Sequence, residues 1–267
     1  MRSDQRRLHI MKTAQETGFV SIPKTAELLG VSVETIRRDV DALCQKNQLK
    51  KVYGGATPIK SPRHTDASFR IRLKQNQHVK LAIVEEAIKL IPDNSIVALD
   101  CGATTEFMAS HIRGVHNVSF LVNSLRVGTI LCDKESAGDF DGGVIMTGGQ
   151  IICSTYRSYT ILALETVDRY HIDVTFVSAT GFTASGASST ATNPAVFSRR
   201  LLERSSVRVL LIESYKLGMH AAMDFAKPTD FDYIITDDQN PFPADILEVL
   251  EKSNTELIIV SCGEKAE

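Results

Sequence analysis

Ser32-Val33-Glu34-Thr35-Ile36-Arg37-Arg38-Asp39, followed further on by Lys50-Lys51-Val52-Tyr53-Gly54-Gly55-Ala56, decides how this 267-residue chain is read. Val33, Ile36, Val40 and Leu43 recur at spacings of three and four, which predicts a helix with those four side chains as one buried stripe. Glu34, Thr35 and Arg38 then face the opposite side, with Arg37 at the edge of the stripe. Ser32 is a natural N-cap for this helix. Upstream, Gly30 supplies a residue able to turn the chain with positive φ, and Ser21 before Ile22-Pro23 is a second start signal, since proline is tolerated in a helix's first turn. A short helix over Lys24 to Leu29 is expected after it. Two helices across a tight turn make a helix-turn-helix. A basic pair with hydroxyls near the start of the second helix suits the major groove of DNA, where Arg bonds guanine bidentately and Ser or Thr meets phosphate or a base edge.

Taken alone, Arg37-Arg38 equally describes a solvated surface helix. The residues downstream shift the balance. Leu49 to Tyr53 reads as a strand, and Gly54-Gly55 permits a tight bend that lays Lys50 and Lys51 against a phosphate backbone as a wing. The candidate DNA contacts are therefore Ser32, Thr35, Arg37, Arg38, Lys50, Lys51 and Tyr53. The pattern Ser-x-x-Thr-Ile-Arg-Arg-Asp with a downstream Gly-Gly-Ala occupies Ser32, Thr35 to Asp39, and Gly54 to Ala56. It resembles the signature of DeoR-family transcriptional regulators. The resemblance implies a winged helix-turn-helix domain, here 1–57, whose partner is double-stranded operator DNA.

Charge is divided accordingly. Residues 1–60 hold eleven Lys or Arg against six Asp or Glu, whereas the remainder holds nineteen against twenty-six, so the whole-chain net charge of −2 conceals a basic amino-terminal part. A hydrophobic content of 43% argues against a mainly disordered chain. Residues 1–8 are charged and no apolar run reaches the roughly 18 residues that a membrane span needs, so a cytoplasmic protein with no membrane partner is expected. The five cysteines, at 44, 101, 132, 153 and 262, have neither paired nor metal-like spacing; they read as small buried or incidental thiols, with no disulfide framework and no metal site. Pro58, Pro62 and the polar residues around them mark a linker and connecting segment over 58–77, and 78–267 forms a second domain. That domain opens with a helical run from Val79 to Ile91, on which Lys80 and Lys89 are expected to be solvated.

From Ser95 onward, β-rich runs alternate with helical patterns: Ile96 to Leu99, Val118 to Val122, Val144 to Met146, Val174 to Val177, Val207 to Ile212, Tyr233 to Ile235 and Leu257 to Val260. Continuous apolar strands separated by helices imply a parallel sheet covered on both faces, and ligands of such sheets bind beyond the strands' carboxyl ends. Those ends carry Asp100-Cys101-Gly102-Ala103-Thr104-Thr105, Asn123-Ser124, Gly148-Gly149, Gly181 and Glu213-Ser214-Tyr215-Lys216. Gly102 to Thr105 entering a helix would suit a phosphate, with Lys216 as a cation, Asp100 accepting from sugar hydroxyls, and Asn123 and Ser124 supplying donors and acceptors. By itself the Gly-Ala-Thr-Thr turn is also an ordinary strand-to-helix connection with a hydroxyl cap.

This region also resembles the DeoR-family sensor, whose fold is similar to sugar-phosphate isomerases of the ribose-5-phosphate isomerase and glucosamine-6-phosphate deaminase kind. The fold class is thus α/β: an N-terminal winged helix-turn-helix and a C-terminal Rossmann-like parallel-sheet sensor. The resemblance implies a phosphorylated sugar or related metabolite as effector, contacted through the matching Asp100, Gly102, Thr104, Thr105, Asn123, Ser124, Gly149 and Lys216; Ala103 and Gly181 join the candidates from their places at strand ends. Three departures bear on which sugar fits: Glu213 opens the usual Asp-x-Ser-Lys segment, Tyr156 to Thr160 lacks the usual Gly, and Asn193 stands where relatives commonly carry Glu. The expected function is a homo-oligomeric regulator, a repressor by default, of a carbohydrate-metabolism operon, with no catalytic residue and no cofactor. Two alternatives are an isomerase-like enzyme, disfavoured because Ser178 to Gly186, read as a loop, holds no carboxylate, and an effector-independent DNA-binding or interaction protein.

Overall fold

Ser21 accepts a hydrogen bond from the Lys24 amide at 3.4 Å and caps the first helix of the motif, with Pro23 in its opening turn. The computed structural model describes residues 2–17, 19–52, 54–58, 69 and 72–262. Two compact units result, Met1–Gln75 and Asn76–Glu267. In the first, α1 (Ser3–Thr17) leads to β1 (Val20–Ser21), α2 (Ile22–Leu28), α3 (Val33–Gln45), β2 (Leu49–Val52) and β3 (Gly55–Pro58). α2 starts two residues before the expected Lys24, because Ser21 caps it from the strand. Gly30 turns the chain at φ +61°, and Ser32 caps α3 by accepting from the Thr35 amide at 3.2 Å. β2 and β3 form the wing hairpin around Gly54 at φ +72°, and β1 pairs antiparallel with β3. Gly55 is needed there: a Cβ would lie 2.0 Å from the Val20 carbonyl oxygen. Tyr53 and most of the linker expected over 58–77 lie outside the described residues.

Ile10, Ala14, Val20, Ile22, Ala26, Ile36, Val40, Leu43, Leu49 and Ala56 make this unit's core. One member of the expected stripe is missing from it. Val33 is 43% exposed, and Asp39 is buried on the helix instead. The cause is α1, which was not foreseen: it packs on α3, and Arg6 and Arg7 near its start hold the Asp39 carboxylate. Leu8, Ile10 and Met11 draw no apolar stripe along α1, and Leu8 stays in solvent, so hydrophobic periodicity does not announce this helix.

The second unit begins with α4 (Gln77–Ile88) and then alternates strand and helix: β4 (Ile96–Leu99), α5 (Ala103–Ala109), β5 (Val118–Val122), α6 (Leu125–Ser136), β6 (Gly142–Met146), α7 (Ile161–Asp168) and β7 (Ile172–Ser178). β8 (Gly181–Thr183), β9 (Gly186–Ser189), α8 (Thr192–Glu203), β10 (Ser205–Leu211), β11 (Met223–Ala226), β12 (Tyr233–Asp237), α9 (Ala244–Glu251) and β13 (Glu256–Val260) complete it. Seven strands form one wholly parallel sheet in the order β13-β12-β10-β7-β4-β5-β6. These are the seven strands expected, with ends moved by at most two residues. Strand order reverses between β4 and β7, the place where connections diverge and a crevice opens in such sheets. Two expectations fail here. Ser178 to Gly186 is not a plain loop, because β8 and β9 run through it and pair with β11 as a small antiparallel sheet. Lys80 is not solvated: at 1% exposure it is buried on α4, 3.6 Å from Glu213, while Lys89 is exposed as expected. Among the described residues no helix is long and apolar enough to cross a membrane.

Candidate nucleic-acid interface and effector site

On α3 the charged groups stand well clear of the core. The Arg38 side chain is 79% exposed and that of Arg37 56%. Glu34 lies between them, its carboxylate oxygens 3.2 Å from Arg37 and 3.5 Å from Arg38, and these exposed pairs orient the arginines more than they stabilise the fold. The Ser32 and Thr35 hydroxyls are 2.8 Å apart at the helix start, so Ser32 serves as cap and Thr35 sits beside it on the first turn. Lys50 is exposed on the wing, and Lys51 forms an ion pair with Asp41 that ties the wing to α3. The expected contacts other than Tyr53 are thus gathered on one helix and one hairpin that touch.

Asp39 is the polar residue of this unit that sequence reasoning left without a role. It accepts from Arg6 Nε at 2.7 Å, Arg7 Nε at 2.9 Å and Ser3 Oγ at 3.2 Å. Burial alone would push its carboxyl up, but the hydrogen bonds from Arg6, Arg7 and Ser3 outweigh burial and hold it below the usual carboxylate range.

In the second unit the expected residues divide into two groups. Asp100, Asn123 and Thr147 each lie one residue past paired positions of β4, β5 and β6, so they share a row on adjacent strands. Asp100 is buried, its oxygens accepting from the Cys101 amide at 2.6 Å and the Ser198 hydroxyl at 2.8 Å, and burial pushes its carboxyl up despite those bonds. Gly102 passes hard against β7, where a Cβ would meet Ser178 Oγ at 1.7 Å. Thr105 takes the role of a structural cap: its hydroxyl donates to the Asp100 carbonyl at 2.5 Å and accepts from the Gly102 amide at 2.8 Å. Ser124 likewise caps α6. Ala103 opens α5 without a polar side chain, and Thr104 follows it, fully buried. Gly149, at φ +84°, lets its loop lie against Thr160 and Ser158, which a Cβ would strike.

Three buried oxygens in this region, Thr104 Oγ1, Asn123 Oδ1 and Thr147 Oγ1, have no hydrogen-bond partner among the described residues. A polar atom so placed is costly unless something donates to it or accepts from it, which makes the row a candidate place for a polar ligand. Thr147 was not anticipated; its register with Asn123 is the signal that finds it. Facing the row is the segment that departs from the family pattern. Arg157 is buried there, its backbone paired in an isolated β-bridge with that of Ser124, and the Tyr159 hydroxyl lies 2.8 Å from Cys101 Sγ. Burial works against the Arg157 charge, but Cys101, Tyr159, Asp100 and Glu106 around it outweigh burial and raise its pKa. Burial and then Asp100 push the Cys101 thiol up to about 12, which leaves it an inert thiol.

The second group lies at the end of β10, beyond β7 from β4. Glu213 is buried with Lys80 Nζ at 3.6 Å and Lys216 Nζ at 3.4 Å, and Asn76 donates to its other oxygen at 3.0 Å. The expected cation Lys216 is therefore one of two lysines on a single carboxylate. Gly181 packs against the segment that follows Lys216: a Cβ there would meet the Met219 carbonyl at 2.2 Å, so it serves the packing of β8.

Residues 75–238 match the DeoR C terminal sensor domain, and residues 6–62 match the DeoR-like helix-turn-helix domain. The HTH-type transcriptional regulator GolR of Listeria innocua is 28% identical over 236 residues, covering 88% of this chain and 91% of that protein. The HTH-type transcriptional regulator UlaR of Shigella sonnei is 29% identical over 260 residues, covering 97% of this chain and all of that protein. Among solved structures, ribose 5 phosphate isomerase A from Neisseria gonorrhoeae has a TM-score of 0.39 at 12% identity over 54% of each chain. RipA from Yersinia pestis has a TM-score of 0.42 at 13% identity, over 66% of this chain and 48% of that one. Likenesses this weak carry no functional argument. The two matched domains together span the reader and the sensor, and the chain belongs to the DeoR family of transcriptional regulators, DNA-binding proteins rather than enzymes.

Proposed function

We propose that the chain is a cytoplasmic repressor of a carbohydrate-metabolism operon, in which residues 1–57 read the operator, 58–77 connect, and 78–267 bind a phosphorylated sugar or related metabolite. The observation that carries the DNA-reading half is the pairing on one unit of an exposed Arg37-Arg38 helix with a lysine-bearing wing. Arg38, Arg37 and Thr35 meet bases or phosphates from α3, and Lys50, Lys51 and Tyr53 approach the backbone from the wing. A homo-oligomer sets two such helices in successive major grooves of a repeated operator, and the effector shifts the equilibrium between DNA-competent and incompetent arrangements.

For the sensor, the row Asp100, Asn123 and Thr147 with Thr104 supports recognition of hydroxyls, because orphaned oxygens take hydrogen bonds from neutral polar groups. The Lys80-Glu213-Lys216 cluster, with two ammonium groups and one carboxylate, supports recognition of the phosphate. Gly102, Ala103, Thr105, Ser124, Gly149 and Gly181 shape the surrounding backbone. The departures at Asn193, Glu213 and Tyr156 to Thr160 select among sugars, Arg157 and Tyr159 narrowing what enters the row.

The test is binding of the purified chain to DNA from its own upstream region, at two salt concentrations and against excess unrelated duplex, with and without a panel of phosphosugars. Salt-sensitive, selective binding altered by one sugar is the expected result. Turnover of a sugar without selective DNA binding overturns the proposal. Lys216→Ala should blunt the response to the active sugar and leave DNA affinity in its absence nearly unchanged; an unaltered dose response removes Lys216 from the site.

A further inference from the structure

The recognition helix is clamped on both flanks. At about 100° per residue, Asp41 lies roughly 140° around α3 from the buried Ile36 in one sense, and Asp39 roughly 60° in the other. Glu34 and Arg38 fall almost opposite Ile36, between the two aspartates on the outer side, with Thr35 next to Asp39 on the same arc. Lys51 of the wing sits on Asp41, and Arg6 and Arg7 of α1 sit on Asp39. The arc of α3 that holds Glu34, Arg38 and Thr35 is therefore bordered by the wing along one edge and by the start of α1 along the other, with Arg37, roughly 100° from Ile36, just beyond Asp41 on the wing's side.

A helix about 10–12 Å across lying in a major groove about 12 Å wide has a phosphate strand on each side. The wing lysines account for one of these walls and the candidate contacts leave the other without a cation. We propose that Arg7 contacts DNA phosphates on the wall opposite the wing, with Asp39 as the residue that positions it. Arg7 is the better placed of the pair, its side chain 32% exposed against 14% for Arg6. Arg7 gives Nε to Asp39 at 2.9 Å, and the amino groups of its guanidinium carry further N–H donors for a phosphate. Two arginines on one carboxylate leave the cluster with a charge of +1, so Asp39 anchors the guanidinium without cancelling the attraction. An anchored side chain also loses less rotamer freedom on binding. The ligand is the phosphate oxygen of duplex DNA whatever its sequence, a contact that sets register and affinity, not base preference.

This inference rests on the DNA-binding reading, and the experiment separates the two. Binding of the full chain to a random-sequence duplex and to a duplex from its upstream region is followed by fluorescence anisotropy between about 50 and 200 mM salt. Arg7→Gln keeps a side-chain donor for Asp39 and removes the charge; its slope of log affinity against log salt should fall by about 0.9 on both duplexes. Arg7→Lys should keep the wild-type slope, and thermal melting of both variants should stay near wild type. A weaker Arg7→Gln complex with an unchanged slope means that Arg7 only supports the fold, and overturns the inference. If Arg38→Ala weakens selective binding while Arg7→Gln matches wild type throughout, the inference falls and the DNA reading stands. If the wild-type chain binds neither duplex, both fall together.

Discussion

Arg37, Arg38 and Lys50 of the amino-terminal unit stand in water, whereas Asp100, Lys80, Arg157 and Glu213 of the carboxy-terminal unit are almost wholly removed from it. On the proposed function, the contrast follows from what each unit meets. DNA is a large polyanion whose charge is felt across several ångströms of solvent, so exposed, loosely braced cations serve it well and respond to salt. A small metabolite offers few atoms, and its hydroxyls and phosphate are worth most where water has been excluded and the protein's own dipoles are already in place. In the reader charge is therefore a surface property. In the sensor it is a structural commitment, because each buried ion must be matched by another before any ligand arrives.

The sharpest way to break this contrast is at Glu213. Removing the carboxylate shared by two lysines should destabilise the sensor by about 3–5 kcal/mol, the usual cost of breaking a buried charge partnership. Glu213→Ala melted by circular dichroism reads this directly, and a variant as stable as wild type would show that the cluster is far wetter than its geometry indicates.

Asp39 is the reader's exception, a buried carboxylate, and Asp39→Asn should cost about 2 kcal/mol, less than Glu213→Ala because Arg6 and Arg7 remain partly solvated. The pH dependence has a definite sign. The folded carboxyl is held below its unfolded value of about 3.9, so its contribution is fully present above that pH and is lost as pH falls through the folded value. Wild type and Asp39→Asn should differ near neutrality and converge in acid; a difference that grows on acidification would reverse the assignment.

On the exposed side, Arg38→Ala should weaken binding to the upstream DNA by about 1–2 kcal/mol while leaving melting within about 0.5 kcal/mol of wild type. The smallest effect belongs to Thr147. Replacing an orphaned hydroxyl by an isosteric methyl should alter stability by less than about 1 kcal/mol, and the change should be neutral or favourable. Thr147→Val should nonetheless shift the effector's dose response. A stability loss with no change in response would mean that the hydroxyl is satisfied inside the protein and is not held for a ligand.

Legibility divides along the same line. The helix-turn-helix could be read because capping serines, a glycine turn and apolar spacing act within a few residues of one another. The strands of the large sheet could be read from unbroken apolar runs, which burial on both faces writes into the central ones. Lys80 could not, since lysine is almost never fully buried without a partner and its partner, Glu213, is distant in sequence. Arg157 was hidden for the same reason: Asp100, Cys101 and Glu106, which surround it, belong to one segment far upstream. α1 escaped because Leu8, Ile10 and Met11 make no stripe, and Val33 misled because the stripe says which residues share a face but not where a neighbouring helix will cover it. The candidate effector residues were legible as strand ends, and which of them are spent on capping, as Thr105 and Ser124 are, is decided by hydrogen bonds that the order of residues does not display.

Ser21 does two jobs at once: as the last residue of β1 it is paired with Gly55 of the wing, and as the N-cap of α2 it holds the Lys24 amide. The neighbouring Ile22 amide donates to the Gly54 carbonyl at 3.0 Å, so the bend of the hairpin is fastened to the same joint. Swinging the wing outward would therefore unravel the start of α2 in the same movement. The hairpin is therefore joined to the helix-turn-helix at its bend as well as along its strands.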